Sequence, residues 1–250
     1  MKKEDVFKIA FNITAWFETS GEPYTSPSGN FDKQGLSWGP RQNCIGQGSL
    51  QPLLRRMLND HPDLVAASMN PFMVDSMKQM LVLPTTQAQT DYVISKWNDD
   101  RGRLAPAWNQ AFSILGQNDE IQAIFIDDAR GSIPAVDSLA AWIAINDNPT
   151  VREWCLAYDF VTQNGGFHSA FKAAISTFLL ALKPFQKDFK DRMRAICWLR
   201  AGWTYIRGQR KFADDVLGRK LLITEGFGRF RGEDVDLDGL FKVNDEGISG

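Results

Sequence analysis

Two acids fourteen positions apart are the residues in this chain best suited to chemistry. Glu18 closes an apolar helical run, and Asp32 opens the stretch Asp32-Lys33-Gln34-Gly35-Leu36-Ser37-Trp38-Gly39. Cleavage of a glycosidic bond asks for two carboxyl groups facing each other across a sugar, one donating a proton and the other activating water. A glycosidic oxygen is a poor leaving group, so its proton must come from a positioned acid. Trp16 and Phe17 precede Glu18, and the desolvation they bring disfavours its anion, which would hold it protonated as the general acid. Asp32 borders glycines on a polar turn, where it stays ionised and can serve as general base. Ser37, five residues further, could steady the attacking water. Trp38, Gln42, Asn43 and Gln47 add an aromatic surface and neutral groups of the kind that read sugar hydroxyls and acetamides, and Arg41 would favour a substrate bearing carboxylates. Taken singly, a Glu after a helix is ordinarily a solvated end and an Asp on a turn ordinarily caps it. The signal lies in the combination.

These residues need a helix, a turn and a scaffold. Val6, Ile9, Ala10, Ile13, Trp16 and Phe17 fall at helical spacing, so residues 4–18 read as a mostly buried helix. From Thr19 to Ser49 that period vanishes, and glycine, proline and serine crowd in, Ser20-Gly21 and Gly39-Pro40 among them. The pattern predicts loops with one small, irregular β-hairpin. Pro52 begins another helix. Further helices are expected near 71–82, 87–98, 104–115, 119–129, 135–146, 149–163, 166–181 and 187–207, with start signals at Pro134 and Asn148-Pro149-Thr150 and a break at Gly165-Gly166. Past Gly208 the sequence suggests a short helix over Lys211–Val216, an apolar stretch at Lys220–Thr224, and a glycine-rich end that is irregular or short-stranded. The expectation is a mainly α protein, of α+β lysozyme-like kind. It would form a single domain with a small hairpin lobe at about 19–50, a helical lobe at about 51–210 and an irregular segment at 211–250, the two lobes flanking a substrate cleft.

The 250 residues are enough for such a domain, and 44% hydrophobic with 23% charged residues is ordinary globular composition. Eight Trp and seventeen Phe can supply both a core and stacking platforms. A net charge of −2 argues against a nucleic-acid partner, which calls for a basic face. Cys44, Cys155 and Cys197 are unpatterned and read as reduced thiols in a cytoplasmically made protein. The charged opening, Met1-Lys2-Lys3-Glu4-Asp5, is no signal peptide, and no run approaches the ~20 apolar residues of a membrane span. An enzyme acting on cell wall would then depend on release or specialised secretion, with a delivery system or a cognate immunity protein as partner.

The order helix-Glu followed by hairpin Asp-x-x-Gly-x-(Ser/Thr)-x-Gly resembles the lysozyme superfamily, and most closely the chitosanases of glycoside hydrolase family 46. Glu18, Asp32 and Ser37 match in order, and Asp32 to Ser37 in spacing. Tyr158-Asp159, with Gln163-Asn164-Gly165-Gly166, is similar to a later helix of those enzymes. Ser37 stands where the family has Thr, which keeps the hydroxyl, and the Glu-to-Asp gap is shorter. The segment from Gly39 to Leu54 is also similar to cell-wall hydrolase domains of phages and secreted effectors. The resemblance covers the first 55 residues well and the remainder loosely. It implies hydrolysis of β-1,4 linkages in peptidoglycan glycan strands, as a muramidase, with Glu18 as acid, Asp32 as base and no cofactor. Family-46 geometry implies carboxyl groups about 7–10 Å or more apart and inversion at the anomeric carbon. It also implies Tyr158 and Asp159 as residues on the opposite wall of the cleft. A chitosanase is the alternative within enzymology, and a non-catalytic carbohydrate-binding module of the same fold the alternative outside it.

Other motifs compete. Asp234-x-Asp236-x-Asp238-Gly239, with Asp245 at the twelfth position, formally fits a calcium loop, but Val235 and Leu237 sit where polar residues are usual, and the same residues read as an alternating strand. His61 and His168 are too few for a zinc set, and a Cys44–His168 hydrolase lacks a family signature. Arg200, Arg207, Arg210, Lys211, Arg219 and Lys220 read as a solvated basic face or as a contact for an anionic wall polymer.

Overall fold

The structure, a computed structural model, describes residues 1–19, 22–145, 148–182 and 188–249. The Ser20-Gly21 turn, the expected helix ends at 146 and 187 and the Lys211 side chain lie outside the described residues. Among those described, thirteen α-helices and two small antiparallel strand pairs make a mainly α fold. No described helix is long and apolar enough to cross a membrane. The chain forms two compact units, Thr14–Gly131 and Met1–Ile13 with Ser132–Gly250. The division falls inside the first helix and at residue 131.

The first unit takes the end of α1 (Lys3–Thr19) and a 3₁₀ turn at Asn30–Asp32. It continues through strands β1 (Ser37–Trp38) and β2 (Asn43–Cys44) and helices α2 (Gln51–Asp60), α3 (Pro62–Ser68), α4 (Pro71–Leu81), α5 (Thr86–Trp97), α6 (Pro106–Leu115) and α7 (Asp119–Arg130). Proline opens α2, α3, α4 and α6, where its missing N–H is no loss, and the Asn70 and Thr85 side chains cap α4 and α5. The sequence pattern misses α3, whose seven residues are too few for a visible period and bury only Val65. Trp38, Trp97, Trp108, Phe112 and Phe125 pack with Leu53, Leu54 and Met57 into one core under the hairpin. Trp97 stacks on Trp108 at 4.2 Å between ring centroids, and Trp38 meets Phe125 edge-on at 5.0 Å.

The second unit contains α8 (Ile133–Ala144), α9 (Val151–Asn164), α10 (Ser169–Leu182), α11 (Phe189–Ile206) and α12 (Arg210–Glu225). The hairpin β3 (Phe227–Phe230) and β4 (Glu233–Asp236) and the short α13 (Leu237–Phe241) complete it. Helix α9 starts on a capping box between Thr150 and Glu153 and ends on Gly165 in the left-handed region. Its residues Val151–Phe160 are all buried, as befits a helix surrounded on every side. The two-residue hairpin turn, Arg231 and Gly232, has positive φ at both positions, the primed geometry that matches strand twist. Helix α12 runs unbroken through Gly218 where two shorter segments are expected, because β3 returns over it and Phe230 packs above the glycine. Met1, Lys2 and Ser249 join the two chain ends by backbone pairing.

Candidate active site

Every part of the Glu18–Gln47 segment belongs to the Thr14–Gly131 unit. Glu18 stands in the last turn of α1, half-buried, beside Trp16 and the buried Phe17, whose rings lie 5.2 Å apart. Asp32 ends the 3₁₀ turn with its carboxylate in solvent. Its Oδ1 accepts the Gln34 amide at 3.1 Å, and its Oδ2 accepts the Ser37 hydroxyl at 3.5 Å.

The turn is held from below. Asn30 Oδ1 accepts the Gly35 amide, Asn98 Oδ1 accepts the Asn30 amide, and Asn98 Nδ2 donates to the carbonyls of Gly35 and Val93. Ser28 and Ser37 exchange backbone bonds of 2.9 Å, laying a third strand-like segment beside β1. Lys33, at φ 66°, reverses the chain after Asp32. A carboxylate on so tightly bonded a turn can keep one direction, the preorganisation a general base needs. Asn30, Gln34 and Asn98 are missed in the sequence, where isolated amides carry no pattern.

Ser37 is 1% exposed, so its hydroxyl serves to orient Asp32 rather than to grip a solvent-borne water. Trp38 is no sugar platform: it is wholly buried between Phe112 and Phe125, and its indole Nε1 donates to the Tyr24 carbonyl at 2.7 Å. Both residues of the two-residue strand β1 face protein, which overrides the alternation expected of a surface hairpin. Asn43 is likewise buried and donates to Asp128 Oδ2 at 3.3 Å and the Ser49 carbonyl at 3.5 Å. Arg41 pairs with that same Asp128 at 3.5 Å, so its charge is already largely matched. Asp128, one of an acid doublet on α7, thus ties two expected subsite residues together, and only the folded geometry reveals it. Gln42, at φ 50°, accepts the Ser28 hydroxyl at 3.5 Å, and Gln47 is exposed at the far end of the segment.

Tyr158 and Asp159 cannot face a glycan as expected, since both are fully buried in the second unit. Tyr158 packs between Phe7 and Trp154. Asp159 accepts from Arg219 at 2.5 Å and from Lys220, which also donates to Gln163. Burial pushes the Asp159 pKa up, but Arg219 and Lys220 outweigh it and hold the carboxyl below its usual range. Burial pulls Lys220 down to about 8 against the attraction of Asp159, with Arg219 adding to the fall. Two members of the supposed solvated basic face are therefore core residues.

The competing motifs have structural occupations of their own. Asp238 and Asp245 both accept from the buried Arg152, and Asp236 caps α13 by accepting from the Gly239 amide. No group of three or more His, Cys, Asp or Glu suited to a metal occurs among the described residues. Cys44 is buried and donates to Gln34 Oε1. Burial, helped by the Asp32 charge, pushes its thiol pKa up, the opposite of what a nucleophilic cysteine requires. His168 Nδ1 is engaged by the Phe171 amide at the start of α10. No protein-family model matches the chain, and no curated protein matches it.

Proposed function

We propose that the chain is a glycoside hydrolase of β-1,4-linked amino-sugar polymers, acting as a muramidase on peptidoglycan. Glu18 is the general acid, Asp32 the general base, and Ser37 a positioning residue that fixes the Asp32 carboxylate. The observation that carries the reading is Asp32 itself: a solvent-facing carboxylate clamped by Gln34 and Ser37, in the same unit as a half-buried Glu18 at an aromatic helix end. The helical fold with its small hairpin and the lysozyme-superfamily order of these residues agree with it. The reaction needs no group beyond those on the chain and a water molecule.

Chitosan is the second reading, and two observations favour it. Asp128 offsets Arg41, the one residue that argued for an acidic substrate. The Thr14–Gly131 unit also carries nine Lys and Arg against thirteen Asp and Glu, a balance suited to a polycation.

Purified Gram-negative peptidoglycan and soluble chitosan, each incubated with wild type and Glu18→Gln, separate the readings. Clearing of peptidoglycan by wild type alone, with glycan fragments identified by mass spectrometry, supports the muramidase. Activity on chitosan alone supports the second reading. Undiminished hydrolysis by Glu18→Gln removes Glu18 from its role, and binding without hydrolysis by wild type leaves a carbohydrate-binding module. Proton NMR of the first-formed product reads the stereochemistry, for which inversion is expected.

A further inference from the structure

Charge is segregated along this chain. Residues 160–213 hold ten Lys and Arg and only two acids, Asp188 and Asp191, whereas the other 196 residues hold eighteen Lys and Arg against twenty-eight acids. A net charge near zero conceals a strongly basic segment inside an acidic chain. The segment contains α10 and α11, and these helices leave apolar surface uncovered.

Helix α10 buries Phe171, Ile175 and Leu179, yet one of its exposed faces is also apolar. Ala170, Ala173, Ala174, Phe178 and Ala181 are exposed at helical spacing, with no charged side chain among them. On α11 the exposed stripe is Trp198, Gly202, Tyr205 and Ile206. The two meet in a groove of about 320 Å³, floored by Ile175 and Gly202 and edged by Phe178, Trp198 and Ile206, which are 46%, 60% and 80% exposed. Contiguous apolar surface of this kind marks a binding face. Guanidinium groups stand at its margin. Arg200 lies over the ring of Phe171 at 5.7 Å, Arg210 lies over Tyr205 at 4.9 Å, and the exposed Arg207 follows Ile206.

We infer that the α10–α11 face binds the surface of an anionic lipid bilayer. Arg194, Lys190 and Arg192 are engaged within the unit, but the exposed Arg207 and Arg210 at the margin of the groove are complementary to acidic headgroups. The sequence of chemistries, aliphatic groove, then Trp and Tyr at the edge, then arginine, repeats the order met on leaving the acyl region for the phosphate layer. A soluble polyanion would satisfy the arginines but leave Phe178, Trp198 and Ile206 in water. A neutral protein partner would do the reverse. Neither helix is long and apolar enough to span, so both lie in the interface plane. This inference is independent of the hydrolase reading.

The test is flotation of the full chain with vesicles of phosphatidylcholine alone and of equal parts phosphatidylcholine and phosphatidylglycerol. Wild type floats with the anionic vesicles, weakly or not at all with the neutral ones, and less as salt rises. Arg207→Glu with Arg210→Glu lowers the apparent affinity by about 25-fold or more, since each basic residue near such a surface contributes about a factor of five and reversal adds to that loss. Trp198→Ser with Ile206→Ser abolishes flotation. If that apolar pair perturbs folding by circular dichroism, the exposed charge-reversal pair still decides the matter. Three results overturn the proposal: no flotation of wild type with anionic vesicles, binding untouched by the charge-reversal pair, or binding of soluble polyphosphate without binding of vesicles. Concentration-dependent dimers in light scattering, abolished by the Trp198 and Ile206 changes in a chain that ignores vesicles, would reassign the face to a second copy.

Discussion

Arg152 offers the sharpest test of how the C-terminal residues are held. Its side chain is 2% exposed at the start of α9, and all three of its nitrogens donate. Nη1 and Nη2 grip Asp238 at 3.0 and 2.8 Å, Nε meets Asp245 at 2.5 Å, and Nη1 also reaches the Ile223 carbonyl at 2.9 Å. Beside it, the Val151 and Arg152 amides donate to the carbonyls of Glu246 and Asn244. Replacing Arg152 by Met keeps most of the aliphatic stem and removes the fork. The Ile223 carbonyl then loses a partner, at about 1–3 kcal/mol for a buried acceptor. The two carboxylates lose theirs, but at 37% and 42% exposure they regain water, so their share is nearer 1 kcal/mol than the 3–5 of a fully buried pair. The expected total is about 3 kcal/mol, felt first as local opening of the segment beyond α13. Native-state hydrogen exchange measures this directly. Protection of the Val151 and Arg152 amides should fall about a hundredfold, with amides of α4 and α5 unchanged. Adding Asp238→Asn to the Met variant should cost little more, because the partner is already gone. A fall of less than threefold, or a second substitution that costs as much as it does alone, would refute the claim that this fork pins the segment.

Gly39→Ala should destabilise the chain by about 3 kcal/mol or more, since φ there is +86° and the new Cβ would stand 2.3 Å from the Phe125 ring. Urea denaturation measures it, and Phe125→Leu should recover part of the loss. Lys220 titrates near 8 in the fold and near 10.5 unfolded, so between those values the unfolded chain binds the extra proton and stability rises with pH. The rise is on the order of 3 kcal/mol, and melting curves of Lys220→Met from pH 8 to 10.5 should lack it. Cys155 and Cys197 are fully buried with thiol pKa values pushed up by burial, Cys197 to about 12. Ellman's reagent should therefore leave both unmodified in the native chain and react with all three thiols in urea; rapid native labelling at either would contradict the packing.

The helices were legible because burial writes a period into them, and prolines, Thr150 and Gly165 punctuate their ends. The hairpin was legible because glycines cluster where helical period stops. What the sequence concealed is which polar residues lie inside. Lys220 and Arg219 share a basic run with Arg207 and Arg210, yet α12 turns the first pair onto Asp159, while Arg207, after α11, and Arg210, at the start of α12, lie in water. Trp38 sits among sugar-reading residue types, but a two-residue strand over a deep core sends it inward. Residue type and spacing suggested Asp32 and Ser37 as a pair and the fold brings them within 3.5 Å, whereas Asp128 joins Arg41 and Asn43 from 85 residues away, beyond any local pattern.

The division of the chain inside α1 has a consequence for synthesis. The Thr14–Gly131 unit is one uninterrupted stretch and can fold as soon as it leaves the ribosome. The other unit is assembled from both ends of the chain, and its first thirteen residues must wait for Ser132–Gly250. At the pace of translation that interval is on the order of ten to fifty seconds. Throughout it Val6, Phe7 and Ala10, all buried in the finished protein, lack the later residues of their own unit. The nascent chain thus carries a folded half joined to helical residues whose own unit is still incomplete.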